Sequence, residues 1–341
     1  MIFSVKSLLD ALPQTNSGDQ LTEQWLKYYK FYGFAELLDK YQVSIGCLIQ
    51  DHQQTVYQHF SQPSTNSACG EHLNRAERQE PRAKKGTCII VHGFMDHSGL
   101  FGHLIKDQLA QGWDVLIYDK IGHGLSSGAQ YAIADFCHYA VQLEQILEHL
   151  AGTQNAGQGE IAPAENWRLI GQSTGATVIM EQALNSELQN FQQIKQRLLL
   201  APLLRSHRHL RVKLMYWLLG SFLQHIPRGS SVNSHDRGFL NFITDQDPFS
   251  GAKIPVNWVG AMLKWQEKFL SEPRSSLPIT IIQGDDDDTV DWRYNLQAIR
   301  QQFPNSQQYM VVGAKHHLVN EKKYWRAQVL QLIKDADTMA D

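Results

Sequence analysis

The 341-residue chain has only four cysteines, Cys47, Cys69, Cys88 and Cys137, and no CxxC pair. Thiols scattered in this way exclude a disulfide framework or a zinc ribbon and read as reduced side chains of a cytosolic protein. Excess positive charge is missing too. The 31 Lys and Arg stand against 34 Asp and Glu, a net charge of -3, so there is no footprint for nucleic acid. Long apolar runs are absent: the most apolar window, Leu210 to Ile226, holds Arg211, Lys213 and Gln224, which makes it a poor membrane span. The start, Met1 to Asp10, lacks a basic region followed by an apolar core and a small-residue cleavage site, so no signal peptide is expected. Of the 15 histidines, none sits in an HxxxH or HxH pair accompanied by a carboxylate at ligand spacing. No metal and no cofactor are expected.

What remains is 43% hydrophobic, ample for one large α/β domain with an insertion. Residues 1–42 read as an N-terminal helical extension. Its aromatics Trp25, Tyr28, Tyr29, Phe31, Tyr32 and Phe34 fall at helical spacing and suggest a lid or packing helix. Val43–Ile49 and Thr55–Phe60 read as a hairpin, and the polar stretch Gln62–Lys85 as loop. From Thr87 onward, apolar runs alternate with helical stretches: Cys88–Val91, Val115–Tyr118, Arg168–Gly171, Leu198–Ala201, Ile279–Ile282 and Tyr309–Val312. Strands apolar on both faces and separated by helices predict a mostly parallel, doubly wound sheet. Between Pro202 and Ser276 no strand is expected. The expected division is therefore a core over 43–201 and 277–341, with a helical cap over 202–276 above the carboxyl ends of the strands.

The most informative segment is Leu169 to Ile179, an apolar run ending in Gly171-Gln172-Ser173-Thr174-Gly175 and continuing into a helix-forming stretch. A strand-to-helix turn of this kind lifts a serine clear of the sheet. The two glycines are needed because side chains there would strike the neighbouring strand and helix. A serine hydroxyl needs an adjacent base, and the base an orienting acid. Asp287, within Asp285–Asp288 after one strand, and His316, after the next, supply them in the order Ser, Asp, His. The acidic run could equally be a solvated loop, but it lacks the spacing of a calcium loop.

These motifs together resemble an α/β-hydrolase of the monoacylglycerol lipase/lysophospholipase (serine aminopeptidase S33-type) group over roughly residues 85–335. His92-Gly93 followed by Asp96-His97-Ser98-Gly99 is similar to that group's oxyanion segment, and Asp119 to Ser126 to its Asp-x-x-Gly-His-Gly-x-Ser loop. Asp287, third after Gly284, and His316, third after Gly313, align with the group's acid and base, with Glu321 in register. Gln172 and Thr174 depart from the His and Met or Gly frequent there, and residues 1–42 lie outside the resemblance. The implied oxyanion donors are the backbone N–H groups of Phe94 and Thr174. His92, His97 and His123 read as loop-shaping residues.

The stretch His209–Leu223 is rich in large apolar groups. It reads either as a helix packed on the core or as an acyl-binding wall open to a lipid surface, with Trp217 and Leu218 as substrate-binding candidates. The expected activity is hydrolysis of a lipid-like carboxylic ester, a monoacylglycerol or lysophospholipid, with cap contact to a membrane surface as a further expectation. The alternatives are an aminopeptidase or small-ester esterase on the same residues, or an inactive hydrolase fold used for binding.

Overall fold

The computed structural model describes residues 3–12, 21–50, 52–62, 84–155, 165–185, 187–188, 191–229 and 232–337. Cys69 and most of the Gln62–Lys85 loop therefore fall outside the described residues. The chain opens with helices α1 (Val5–Asp10), α2 (Glu23–Phe31) and α3 (Ala35–Leu38), then the hairpin β1 (Gln42–Gln50) and β2 (Gln53–Ser61). There follow β3 (Gly86–Val91), α4 (Gly102–Ala110), β4 (Trp113–Tyr118), α5 (Cys137–Asn155), β5 (Trp167–Gln172), α6 (Thr174–Leu184) and β6 (Ile194–Leu200). After the cap come β9 (Thr280–Gly284), α10 (Trp292–Gln302), β10 (Gln307–Val311) and α11 (Lys323–Asp335).

Eight strands form one sheet in the order β1-β2-β4-β3-β5-β6-β9-β10. β2 runs antiparallel to both neighbours and the rest are parallel. Every residue of β3, β4 and β5 is buried, which is why Cys88–Val91 and Val115–Tyr118 read as apolar runs rather than alternating ones. The chain winds outward from β3 to β4 in one direction and from β5 to β10 in the other. The crevice at the carboxyl ends of β3 and β5 is thus the switch point where open α/β sheets place their ligands.

The aromatic N-terminal helices are part of the core. Trp25, Tyr28, Tyr29 and Phe34 are buried in one cluster with Cys88, Ile90, Val115 and Ile117 of β3 and β4. Tyr32 Oη donates to Asp247 Oδ1 (2.8 Å), and His97 Nε2 meets the same oxygen at 3.2 Å. Burial works against charge on His97, but Asp247 beside it raises its pKa. This buried link joins the N-terminal helices, the cap and the loop after β3.

The cap contains α7 (His209–Leu219), α8 (Arg237–Asp245) and α9 (Val256–Ser271), and it corrects two expectations. It is not free of strands: β7 (His225–Pro227) pairs antiparallel with β8 (Lys253–Pro255). Nor does α7 pack into the core, because His209 is its only buried residue. Leu210, Trp217 and Phe222 are 80%, 77% and 83% exposed.

Candidate active site

Ser173 sits between β5 and α6 with φ +55° and ψ -112°, a conformation that costs about 1–3 kcal/mol for a non-glycine residue. Its surroundings enforce the bend. Ser173 N donates to Leu200 O (2.8 Å), and Ser173 O accepts from the amides of Ala176 and Thr177 at 3.0 and 3.2 Å. A Cβ on Gly171 would lie 2.5 Å from the Gly175 carbonyl carbon, and one on Gly175 would overlap the Val91 carbonyl oxygen. The turn therefore needs both glycines.

His316, on the loop after β10, places Nε2 2.9 Å from Ser173 Oγ and Nδ1 2.8 Å from Asp287 Oδ2. All three residues are buried. Asp287 Oδ2 also accepts from Gln283 Nε2 (2.9 Å), while Oδ1 accepts from the amides of Thr289 (2.8 Å) and Val290 (3.2 Å). Burial alone would raise this carboxyl, but His316 and these donors hold it below its ordinary value. Of the four consecutive aspartates only Asp287 turns inward; Asp285, Asp286 and Asp288 are exposed. The neighbouring His317 points elsewhere, with Nε2 3.3 Å from Asp96 Oδ1. Glu321, fully buried, accepts from the amides of Lys315 and His235 (both 2.8 Å) and faces His235 Nδ1 (2.9 Å), so it pins the His316 loop to the cap. Gln172 Nε2 steadies the same loop by donating to His316 O (2.9 Å).

The loop after β3 faces the serine. Thr174 begins α6, where the first amides of a helix lack intrahelical partners and carry the positive end of its dipole. Among the described residues neither the Thr174 nor the Phe94 amide donates to a protein acceptor. Met95, next in line, is held at φ +62°. Asp119, after β4, accepts from Ser98 N (2.7 Å), Ser98 Oγ (2.6 Å) and Leu125 N (2.8 Å), fastening this loop to the next. His92 Nε2 accepts from Lys120 N (2.9 Å), so its proton is on Nδ1, facing Gly93 O at 2.8 Å. Burial, with Lys120 and His123 nearby, holds His92 well below the ordinary histidine value. For His123 burial and Lys120 lower it to about 3. Both histidines are neutral parts of the loop framework.

Two contributors escaped sequence reasoning. Trp258 of α9 stacks on Phe94 with ring centroids 3.7 Å apart, and it is this helix, with Phe136 and Tyr131 nearby, that roofs the site. The apolar face of Val256–Ser271 was the available signal. Lys120, fully buried, directs Nζ at His92 O (2.5 Å) and Gly93 O (2.9 Å). Trp217 and Leu218, the substrate-binding candidates, are instead 77% and 48% exposed on the outside of α7. Among the described residues no group of three or more His, Cys, Asp or Glu could hold a metal ion.

A serine at a strained turn after the fifth strand, set in a doubly wound sheet with a cap, defines an α/β-hydrolase fold. Residues 82–323 match the Hydrolase_4 family, described as serine aminopeptidase, S33, and the chain belongs to that family. It is similar to a monoglyceride lipase homolog of Monkeypox virus, 26% identical over 255 residues, covering 73% of this chain and 88% of the relative. It is also similar to a probable lysophospholipase L2 of Haemophilus influenzae, 23% identical over 278 residues, covering 75% and 84%. Among solved structures, a soluble variant of the monoglyceride lipase of Saccharomyces cerevisiae in complex with a substrate analog superposes with TM-score 0.70 at 17% identity, covering 87% of this chain and 94% of that one.

Proposed function

We propose that the protein is a serine carboxylic-ester hydrolase that acts through an acyl-enzyme on a lipid-like ester, a monoacylglycerol or a lysophospholipid. The observation that carries this is the hydrogen-bonded line from Ser173 Oγ through His316 to Asp287. In this reading Ser173 Oγ attacks the ester carbonyl carbon while its proton passes to His316 Nε2. The carbonyl oxygen becomes an oxyanion facing the amides of Phe94 and Thr174. Collapse breaks the bond to the alcohol, which leaves with the proton from His316. Water, deprotonated by His316, then attacks the acyl carbon, and the acid departs as Ser173 regains its proton. Asp287 keeps the imidazole in the tautomer that leaves Nε2 free to accept.

The names of the relatives and the apolar character of the cap support a lipid substrate. A peptidase would need a free acid for the substrate amine; Asp96, Asp119 and Asp247 near the site are each engaged by protein donors. No helix among the described residues is long and apolar enough to cross a membrane; the exposed Leu210, Leu214 and Trp217 of α7 support the reading that this helix meets a lipid surface from one side. The deciding experiment compares wild type and Ser173→Ala on p-nitrophenyl esters of two to sixteen carbons, monoacylglycerol and lysophospholipid. Activity should climb with chain length, because each buried CH₂ contributes about 0.8 kcal/mol, and Ser173→Ala should lose on the order of 10⁶ in kcat. A folded Ser173→Ala protein with near-native activity refutes the reading.

A further inference from the structure

The oxyanion loop is gripped from both sides. Asp96 Oδ2 accepts from Gly93 N (3.1 Å), fixing the peptide that joins His92 to Gly93 by its N–H. The carbonyl of that same peptide, His92 O, receives Lys120 Nζ. Lys120 Nζ also donates to Gly93 O (2.9 Å). In a trans peptide the C=O and the following N–H point in opposite directions. Holding Gly93 O on the Lys120 side therefore turns the Phe94 N–H away from Lys120. That amide has no acceptor among the described residues.

A lysine is an unusual choice for this task. Lys120 is 0% exposed and no carboxylate forms an ion pair with it among the described residues. Its surroundings are the two carbonyls, His92 Nδ1 at 3.2 Å from Nζ, the Tyr139 ring at 5.5 Å and, farther off, Asp96 and Asp119. Burying an ammonium this way costs stability, and burial lowers its pKa to about 7. A leucine or methionine would fill the space without that cost. The cost is offset only if the amine does something an apolar residue cannot, and aligning two successive carbonyls is such a task.

We propose that Lys120 is a positioning residue for ester hydrolysis: its amine, opposed by Asp96, locks the His92-Gly93-Phe94 peptides so that the Phe94 N–H is aimed at the oxyanion before substrate arrives. The proposal rests on the acyl-enzyme reading above and assigns that site its source of preorganisation. Because the amide acts on charge that develops only in the tetrahedral state, its misalignment lowers kcat and leaves ground-state binding alone.

The test uses the full chain with Lys120→Met and Lys120→Gln, p-nitrophenyl octanoate as substrate, and octyl trifluoromethyl ketone as the inhibitor that forms a Ser173 hemiketal oxyanion. In Lys120→Met, kcat should fall about tenfold to a hundredfold, part of the 10²–10³ that a whole oxyanion donor supplies, with KM within about twofold. The ketone Ki should rise by the same factor as kcat falls. Lys120→Gln keeps N–H donors on an arm one bond shorter, reaches one carbonyl at most, and should lie between Met and wild type. Wild-type kcat and Ki in either folded variant, or a loss confined to KM, overturns the proposal. If Lys120→Met does not fold, the Gln variant decides by the same two readouts. Ser173→Ala is run alongside: activity there refutes the acyl-enzyme reading, whereas inactive Ser173→Ala with unaltered Lys120 variants refutes only the lock.

Discussion

Replacing Asp287 by asparagine separates the geometry of the site from its charge. All four partners of this carboxylate are donors: His316 Nδ1 and Gln283 Nε2 on Oδ2, and the amides of Thr289 and Val290 on Oδ1. Asparagine offers one acceptor and one donor, so one side must face donor to donor. The backbone amides cannot adapt, but an imidazole can move its proton. The amide nitrogen therefore turns to His316, whose Nδ1 becomes the acceptor and whose Nε2 now carries hydrogen toward Ser173 Oγ. The base is lost with the imidazole and the backbone in place, and only the Gln283 amide, which shared Oδ2, must turn. A wrong-tautomer triad loses about 10⁴ in kcat, equivalent to about 5 kcal/mol of transition-state stabilisation. The assay is the initial rate on p-nitrophenyl octanoate, with folding checked by circular dichroism and melting. Asp286→Asn and Asp288→Asn, on exposed neighbours, serve as controls and should stay near wild type. An Asp287→Asn protein that is folded and within tenfold of wild type refutes the assignment.

His316→Ala should abolish turnover, whereas His317→Ala, which loses the Asp96 contact and ring packing on Phe101 and Phe239, should keep activity within about tenfold, as expected for a group that bears on the oxyanion loop from outside; the reverse order in a rate assay moves the base by one residue. Gly175→Ala pushes a methyl into the Val91 carbonyl and should cost at least the 1–3 kcal/mol typical of overpacking, read as a lower urea midpoint. Asp96 is lowered to about 2: burial opposes its charge, but His317 and Lys120 outweigh it. A carboxyl depressed in the folded state contributes stability that is fully present above its unfolded value and is lost as pH falls through the folded one. Wild type should thus lose stability from pH 4 toward 2 more steeply than Asp96→Asn, measured by melting across that range. Trp217→Ser with Phe222→Ser should leave the melting temperature nearly unchanged, since exposed substitutions stay within about 0.5 kcal/mol each, yet weaken binding to phosphatidylcholine vesicles; a large drop in melting temperature would mean α7 is packed in solution.

The sheet was legible because its central strands are buried on both faces, so Cys88–Val91 and Val115–Tyr118 read as apolar runs between turn signals. That Ser173, Asp287 and His316 come together was legible because each follows a strand, and a short loop leaves its side chain few places to go. The ribbon of His225–Pro227 and Lys253–Pro255 was not, since three residues ending in proline are too short to show alternation. For α7, apolarity right around the helix signals a need for cover without naming the cover. Lys120 was invisible for a different reason: a lysine beside a glycine turn reads as solvated, and only the folding of two loops against each other encloses it.

The link between Tyr32, Asp247 and His97 changes what a minimal version of this protein would be. The family match begins at residue 82, and cloning from that boundary would look economical. It would strip Trp25, Tyr28, Tyr29 and Phe34 from β3 and β4 and open Cys88, Ile90, Val115 and Ile117 to water. It would also remove β1 and β2, turning β4 into an unprotected sheet edge of the kind that recruits other chains. The fragment would retain Ser173, His316 and Asp287 and yet be an aggregating protein, its cap released from the tyrosine that ties Asp247 down. Helices α2 and α3 are thus integral to the fold, covering a face of the sheet that the family-matched region alone leaves open.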